Sequence, residues 1–259
     1  MFDSGFGGLT VARALIDLLP GEDLVYFGDT GRYPYGPRPL EEVREYASQI
    51  GDLLCDEFGA GLLVVACNTA TAAALDVLEK ECPAPVIGVI EPGVRSLIKA
   101  TRSGRVGVIG TVGTIGSGAY QNAVAETGAP VHLTCASCPG LVELVERGEF
   151  RTDQAYVLAE RLLAPVRAAQ VDTLLLGCTH YPFLARTIGD VMGRDVVLVS
   201  SADETAFEVR AILGADRAAD RSRTGAHRFI SSGDVAWFQA LGRRLLGPEL
   251  DRVEAWQWD

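Results

Sequence analysis

Short apolar runs alternate with longer amphipathic stretches along most of this 259-residue chain. Apolar side chains recur every three or four residues from Leu40 to Phe58, which predicts an amphipathic helix ending near Gly59 and Gly61. Strands that alternate with such helices predict an α/β protein with parallel sheets. The apolar runs that we interpret as strands are residues 24–27, 62–66, 86–90, 106–109, 131–134, 173–176, 196–199 and 227–231.

Two cysteines occupy nearly the same sequence setting: an apolar run, a small residue, the thiol and then short polar side chains. The segments are VVACNT at residues 64–69 and LLGCTH at residues 175–180. Each thiol lies where a buried strand should end and a helix begin, and open α/β sheets bind ligands there. The positive end of a helix favours thiolate over thiol. Cys67 and Cys178 therefore predict a proton donor and acceptor that act on opposite faces of one small molecule.

The repeated pattern predicts two similar α/β domains that enclose a pocket between their strand ends. Residues 91–93 and residues 200–203 are the expected crossings from one domain to the other. We expect Thr152 to be the N-cap of a helix, and we expect Pro165 to interrupt that helix. Residues 217–223 are charged and lack apolar periodicity, which predicts a surface loop.

Composition narrows the classes of partner. The formal net charge is −11 and lysine and arginine form no basic stripe, which argues against binding to a nucleic-acid backbone. No apolar stretch approaches the roughly 20 residues that span a bilayer, and no export signal begins the sequence. Six cysteines are too few for a disulfide scaffold in a chain of this size. We expect a cytoplasmic protein with reduced cysteines and neither a membrane nor a nucleic-acid partner.

Small polar residues also follow other strands. The turn DSGFGG either presents the Asp3 carboxylate and Ser4 hydroxyl to a ligand or is an ordinary turn into the next helix. Only two residues precede Asp3, too few for a strand, so we expect the natural chain to begin a few residues earlier. Thr111 and Thr114 hold a carboxylate at a helix start or cap that helix, since the nearby glycines do not fit the dinucleotide fingerprint.

Other candidate positions are less specific when each is taken alone. The segment YPYGP at residues 33–37 is a rigid loop over a pocket mouth or a structural turn. Cys135 and Cys138 have the spacing of a redox or metal pair, but no second pair accompanies them and packing is the favoured interpretation. His180, two residues after the second thiol, can stabilise a thiolate or relay its proton. Glu146 on a short predicted helix is by default a solvated charge.

Together these motifs resemble the glutamate racemases of the cofactor-independent aspartate/glutamate racemase family. The resemblance extends over essentially the whole chain, and its order and spacing make it specific. The segments that carry it are DSG at 3–5 with GG at 7–8, GDT at 28–30, PYG at 34–36, CNTA at 67–70, GT at 110–111 with Thr114, GCTHYP at 177–182 and SGD at 232–234.

The resemblance implies a fold and a reaction. The fold is α/β, with two flavodoxin-like (Rossmann-like) three-layer domains of mainly parallel strands and the active site in the cleft between them. The N-terminal domain, residues 1–92 plus 206–259, would carry Cys67, and the inserted domain, residues 93–205, would carry Cys178. The reaction is the interconversion of L- and D-glutamate without cofactor or metal, which supplies D-glutamate for peptidoglycan. A homodimer in the cytoplasm is also implied.

The resemblance further implies roles for individual residues. Cys67 would exchange the proton of D-glutamate with help from Asp3, and Cys178 that of L-glutamate with help from His180. Glu146 would be a helper carboxylate. The implied substrate-binding residues are Asp3, Ser4, Tyr35, Gly36, Asn68, Thr69, Thr111, Thr114, Thr179 and His180.

Three alternatives stay open at the level of sequence. A related cofactor-independent racemase for aspartate or another amino acid would keep the mechanism and change the substrate. A thiol redox or metal-binding protein would use Cys135 and Cys138 together with Cys178 and His180. A noncatalytic binding module would retain the thiols without using them.

Overall fold

The computed structural model describes residues 1–214 and 224–258; the loop predicted at residues 217–223 lies outside this part of the chain. Within it, the strands are β1 (Phe2–Asp3), β2 (Leu24–Gly28), β3 (Leu63–Val65), β4 (Val86–Gly88), β5 (Arg105–Gly110), β6 (His132–Ser137), β7 (Thr173–Gly177), β8 (Val197–Val199), β9 (His227–Ser231) and β10 (Val253–Ala255). The helices are α1 (Leu9–Leu18), α2 (Leu40–Asp56), α3 (Asn68–Glu81), α4 (Ile90–Ala100), α5 (Val112–Gly116), α6 (Ala119–Glu126), α7 (Leu141–Glu146), α8 (Asp153–Leu162), α9 (Ala164–Ala168), α10 (Ala185–Met192), α11 (Ala202–Leu213) and α12 (Val235–Leu246). Two short 3-10 helices span Tyr181–Leu184 and Gly247–Glu249.

The strands form two parallel sheets, as the alternating pattern predicts. The first has the order β10-β9-β2-β1-β3-β4, and the second has the order β6-β5-β7-β8. All pairings in both sheets are parallel. Because parallel strands end at one edge, the turns that follow β1, β3, β5 and β7 bring their polar residues to the carboxyl edges of the sheets.

Several local predictions are confirmed. Helix α2 follows the apolar stripe and ends at Asp56, close to the predicted glycines. Thr152 caps α8, because its side chain accepts a hydrogen bond from the backbone N–H of Ala155. The helical stretch is interrupted as predicted, since α8 ends at Leu162 and Pro165 lies in the first turn of α9.

Three features differ from the sequence pattern. The second expected crossing, residues 200–203, runs into the first turn of α11, and the first expected crossing, residues 91–93, lies in the first turn of α4. A proline is tolerated there because a first-turn N–H has no helical partner to lose. Strand β10 was not predicted: it has three residues, and only Val253 is buried, so it is too short and too exposed to give an apolar run.

The apolar core is continuous between the two sheets near their carboxyl edges. The ring of Phe6, in the turn after β1, contacts His180 at 5.2 Å, Phe183 at 5.3 Å and Trp237 at 5.8 Å between centroids. Aromatic side chains from both halves therefore form one wall behind the strand ends. Among the described residues, no helix combines the length and the apolar character needed to cross a membrane.

Candidate active site

The two cysteines of the repeated motif line the same pocket. Cys67 is the N-cap of α3, directly after β3 and one linking residue, and Cys178 directly follows β7. Both are buried, with 5% and 7% of their surface exposed. One pocket therefore receives a thiol from each of the two sheets.

Most of the other candidate residues also lie at this pocket or directly behind its wall. Those lining it are Ser4, Tyr35, Gly36, Asn68, Thr69, Thr111, Thr179 and His180. Asp3, Thr114 and Glu146 do not line it. Each of these three is hydrogen-bonded to a residue that does.

Cys67 has an environment that favours the neutral thiol. Its Sγ lies 3.5 Å from the donating N–H of Ala70 and 3.7 Å from the Ser4 hydroxyl. Burial, followed by the negative charge of Asp3, raises the pKa of the Cys67 thiol to about 12, although those two contacts act in the opposite direction. The N–H group at the helix start lowers this pKa, as expected, but burial and Asp3 outweigh it, so the expectation of a thiolate at this position is not met.

Cys178 is the first member of a chain of three side chains. Its Sγ lies 3.9 Å from Nδ1 of His180, and Nε2 of His180 lies 2.5 Å from Oε1 of Glu146. Burial alone would lower the pKa of His180, but the contacts with Cys178 and Glu146 raise it well above its usual value. Burial raises the pKa of Glu146. Both directions describe one proton held between the imidazole and the carboxylate.

Asp3 is fully buried and connects the two halves. Its carboxylate accepts hydrogen bonds from the N–H of Gly5 at 3.0 Å and from the Thr179 hydroxyl at 3.2 Å. The turn after β1 is thereby bonded to the residue that follows the second thiol. The Asp3 carboxylate therefore interacts electrostatically with Cys67 and is hydrogen-bonded to the residue next to Cys178.

Hydroxyl groups from both halves meet at one end of the pocket. The side chains of Thr69, Thr111 and Thr114 form a triangle with oxygen separations of 3.1, 3.1 and 2.9 Å. Thr69 lies in the first turn of α3, where backbone N–H groups have no helical partner. Hydroxyls beside such a helix start form a suitable environment for a carboxylate.

The loop after β2 is held rigidly against the pocket. The Tyr35 hydroxyl donates to Oδ2 of Asp29, and the same carboxylate accepts from Arg32, Ser232 and Trp258 at 2.7, 2.7 and 3.1 Å. The carbonyl of the following residue, Gly36, accepts from an N–H of α5 at 2.8 Å. A Cβ on Gly36 would lie 2.7 Å from Thr111, so the close approach of the two halves requires glycine there.

Three lining residues with titratable side chains were not identified as site residues from the sequence: Tyr33, Cys138 and Glu143. Tyr33 lies in the rigid YPYGP segment, which was the available signal. Cys138 was interpreted as packing and is indeed buried, but one side of it faces the pocket. Among the described residues, no group of three or more His, Cys, Asp or Glu side chains could hold a metal ion.

Comparison with known proteins adds independent evidence. Residues 9–208 match the Asp/Glu/Hydantoin racemase family. A glutamate racemase from a Parafrankia strain is 52% identical over 256 residues, covering 98% of this chain and 92% of that protein. The crystal structure of a glutamate racemase isoform from Bacillus anthracis has 42% identity and a TM-score of 0.91, covering 100% of this chain and 96% of that chain. A glutamate racemase from Francisella tularensis in complex with D-glutamate has 30% identity and a TM-score of 0.90, covering 99% and 95%.

These matches agree with the architecture described above. The family match spans well over half of the chain, and the relatives align over nearly the full length of both proteins. The similar crystal structures have the same overall fold, two parallel α/β sheets included. The chain therefore belongs to the Asp/Glu/Hydantoin racemase family and is an amino-acid racemase, an isomerase.

Proposed function

We propose that this protein interconverts L- and D-glutamate by proton transfer between Cα and two thiols, Cys67 and Cys178. The observation that carries the proposal is that two buried cysteines, one from each sheet, line one pocket. The fold and the family are shared with glutamate racemases along almost the whole chain. The relative from Francisella tularensis was crystallised in complex with D-glutamate.

Two bases solve the stereochemical problem of racemisation. One group removes the Cα proton from one face, and a second group delivers a proton to the opposite face. A single group that also reprotonated its own face would return the starting isomer. One thiol must therefore be ionised and the other protonated when substrate binds, and the two exchange states in each turnover.

The two environments support opposite protonation states in the free enzyme. The pKa of Cys67, raised to about 12 by burial and by Asp3, makes it the proton donor at neutral pH. The imidazolium of His180, 3.9 Å from Cys178, stabilises a thiolate at that sulfur. The resting enzyme is therefore ready to take the proton of L-glutamate with Cys178 and to return one from Cys67. The reverse direction requires the opposite arrangement, with Asp3 as the group that assists Cys67.

The developing negative charge on the substrate needs stabilisation from fixed donors. The Cα proton is weakly acidic because the neighbouring carboxylate resists further negative charge. Preorganised hydroxyl and N–H groups at the pocket reduce that cost. We assign this role, together with binding of the substrate carboxylates and ammonium group, to Ser4, Tyr35, Gly36, Asn68, Thr69, Thr111, Thr114 and Thr179, with Asp3 and His180.

The experiment that tests the proposal follows L-glutamate incubated with the purified protein and no added cofactor. Chiral chromatography is expected to give equal amounts of the two enantiomers at equilibrium. Aspartate at the same concentration serves as the comparison, and exchange of Cα hydrogen in ²H₂O measures both substrates. Faster exchange with aspartate than with glutamate would mean that aspartate is the substrate, with the same two-base mechanism.

Single cysteine variants test the two-base mechanism. Cys67→Ser and Cys178→Ser are each expected to reduce racemisation by at least about 1,000-fold, since each removes one acid–base group. The Cys67→Ser variant is expected to retain deuterium exchange with L-glutamate, and Cys178→Ser with D-glutamate. Cys55→Ser is the matched control, because Cys55 is a half-buried thiol in the last turn of α2 that contacts Cys82 at the end of α3. Full racemisation by either catalytic variant would contradict the two-base mechanism.

Further parts of the proposal come from the resemblance. We propose a supply of D-glutamate for peptidoglycan, tested by rescue of a bacterium that requires D-glutamate. A homodimer is proposed as well, tested by light scattering.

The proposed domains are residues 1–92 plus 206–259 and residues 93–205. The six-stranded sheet, built from strands within residues 2–88 and 227–255, and the four-stranded sheet, within residues 105–199, support this division.

A further inference from the structure

Tyr33 lies beside the chain of side chains that ends at Cys178. It belongs to the loop after β2 and lines the pocket. Its ring centroid is 6.3 Å from that of His180, with the planes tilted by 34°. Neither the repeated motif nor the resemblance gave it a role.

Three side chains from different elements converge at Gly5. A Cβ built on Gly5 would lie 3.3 Å from Oε1 of Glu146, 3.6 Å from Cδ2 of Tyr33 and 3.7 Å from Cε1 of His180. Glu146 belongs to α7 in the other half of the molecule, so Tyr33 and Glu146 approach each other across the cleft. A movement of the two halves changes the distance between them.

Two buried polar atoms in this cluster have no hydrogen-bond partner among the described residues. They are the Tyr33 hydroxyl and Oε2 of Glu146. The side chain of Glu146 is 8% exposed, and its other oxygen is bonded to His180. A buried polar group without a partner is destabilising, because it has lost its hydrogen bonds to water and gained none in the protein. A hydroxyl can donate and a carboxylate oxygen can accept, so these two atoms are chemically complementary.

We propose that Tyr33 is a positioning residue that donates a hydrogen bond to Oε2 of Glu146, directly or through one water, when the halves close on substrate. The bond holds Glu146 as a carboxylate aimed at His180. His180 then remains an imidazolium, which stabilises the Cys178 thiolate. This inference rests on the proposed function for the role of Cys178.

The surrounding charges are consistent with this role. The titratable and charged groups around the part of α7 that carries Glu146 include Asp3, Tyr26, Tyr33, Glu143, Arg147, Cys178, His180 and Arg244. The Tyr26 hydroxyl already donates to the carbonyl of Gly5. Burial, and next the charge of Glu146, raises the pKa of Tyr33, so it is a neutral donor throughout the working range. Arg147 is directed instead to Glu149, at 3.0 Å. Tyr33 is therefore the neutral donor that faces Glu146 from across the cleft.

Tyr33→Phe removes only the hydroxyl and keeps the ring that packs beside His180. We expect kcat to fall about 10-fold while KM stays within about twofold, since the lost bond acts on the base rather than on substrate binding. The equilibrium constant of a racemisation is one, so kcat/KM must fall equally in both directions. The acid limb of the pH–rate profile is expected to move up by about one pH unit, because a carboxylate that loses a donor binds its proton more tightly.

Two controls give the experiment its specificity. Tyr156→Phe makes the same chemical change on the exposed face of α8 and should leave the pH profile unchanged. Tyr33→Phe in a Glu146→Gln background should have no further effect on kcat, because Tyr33 acts through that carboxylate. An equal effect of Tyr33→Phe with and without Glu146, or a wild-type acid limb in Tyr33→Phe, would overturn the proposal.

A second readout does not depend on turnover. In protein labelled with ¹⁵N-histidine and saturated with glutamate, the ring nitrogens of His180 report its protonation during a pH titration. Tyr33→Phe is expected to shift the shared proton from His180 towards Glu146, which lowers the fraction of His180 that is imidazolium at neutral pH. Absence of racemisation in the wild-type protein would contradict the proposed function. Identical His180 titrations in wild type and Tyr33→Phe would contradict the role of Tyr33.

Discussion

The two candidate thiols differ in the charge that lies next to each. Cys67 is close to the carboxylate of Asp3, whereas Cys178 is close to the imidazole of His180. A neighbouring anion opposes ionisation of a thiol and a neighbouring cation favours it. The two sulfurs therefore lie in opposite electrostatic environments, with a carboxylate near Cys67 and an imidazole near Cys178.

Gly7 controls the position of His180 from the opposite half of the molecule. A Cβ there would lie 2.5 Å from Nδ1 of His180 and 2.6 Å from the Thr179 hydroxyl. Gly7→Ala is therefore expected to move the imidazole away from Cys178 and to reduce kcat/KM about 100-fold. Gly61→Ala, where no atom lies within 4 Å of the new Cβ, is the control. Steady-state kinetics of the two variants check the prediction, and equal activities would contradict it.

At the residue scale, the sequence predicted which residues lie at the site better than it predicted their pKa values. The polar residues after β1, β3 and β7 were found because strand ends and short polar side chains are visible in the pattern. The raised pKa of Cys67 was not, because the loss of solvation depends on packing from distant parts of the chain. Tyr33 was missed as a site residue for a similar reason, since its neighbours His180 and Glu146 come from the other half.

At the scale of elements, helix caps and turns determine where the functional side chains lie. Cys67, Thr111, Thr152 and Asp234 each cap a helix through the side chain. Two of these caps, Cys67 and Thr111, also line the pocket, so the same position both ends a loop and presents a reactive or binding group. Thr111 was predictable as a cap because cap preferences are local, and Cys67 was predictable because it follows an apolar run at the expected start of a helix. The helical conformation of residues 91–93 was not, because it depends on packing of α4 against the second sheet.

The cap at Thr152 offers a test that separates stability from catalysis. Its side chain accepts from the N–H of Ala155, and the helix that it starts lies outside the pocket. Thr152→Ala is expected to lower the free energy of unfolding by about 1 kcal/mol and to leave kcat and KM unchanged. Thr152→Ser keeps the capping oxygen and should retain most of the stability. Urea denaturation of the three proteins measures the difference, and a loss as large in Thr152→Ser would contradict the assignment.

At the scale of the whole molecule, the pocket is also the joint between the two sheets. Asn68 donates to the Tyr120 hydroxyl at 2.7 Å, Thr179 donates to Asp3, and Thr69 meets Thr111. These contacts join residues far apart in sequence and all lie at the strand ends. The repeated strand–cysteine–helix motif predicted that two halves face each other. The particular pairs were not predictable, because they depend on how the two sheets are oriented.

Because thiols are buried where the two sheets meet, the free energy of unfolding of the whole protein is expected to fall at alkaline pH. Burial raises the pKa of Cys138 from 9.0 to about 12. The folded protein therefore keeps this proton at a pH where the unfolded chain has lost it. The stabilisation is complete below about pH 9 and is lost progressively as the pH rises towards 12. At pH 10 the loss is about 1.4 kcal/mol for one such thiol.

Cys138→Ala removes this dependence without introducing a charge. Wild-type protein is expected to lose about 1.4 kcal/mol more of its unfolding free energy than Cys138→Ala between pH 8 and pH 10. The cavity left by the missing sulfur lowers the stability of the variant by the same amount at every pH, so it cancels in the comparison. Between pH 6 and pH 8 the two proteins should change in parallel, because the thiol is protonated in both the folded and the unfolded state. Urea denaturation at the three pH values measures these differences, and an equal loss in both proteins above pH 8 would mean that Cys138 ionises as readily in the folded protein as in the unfolded chain.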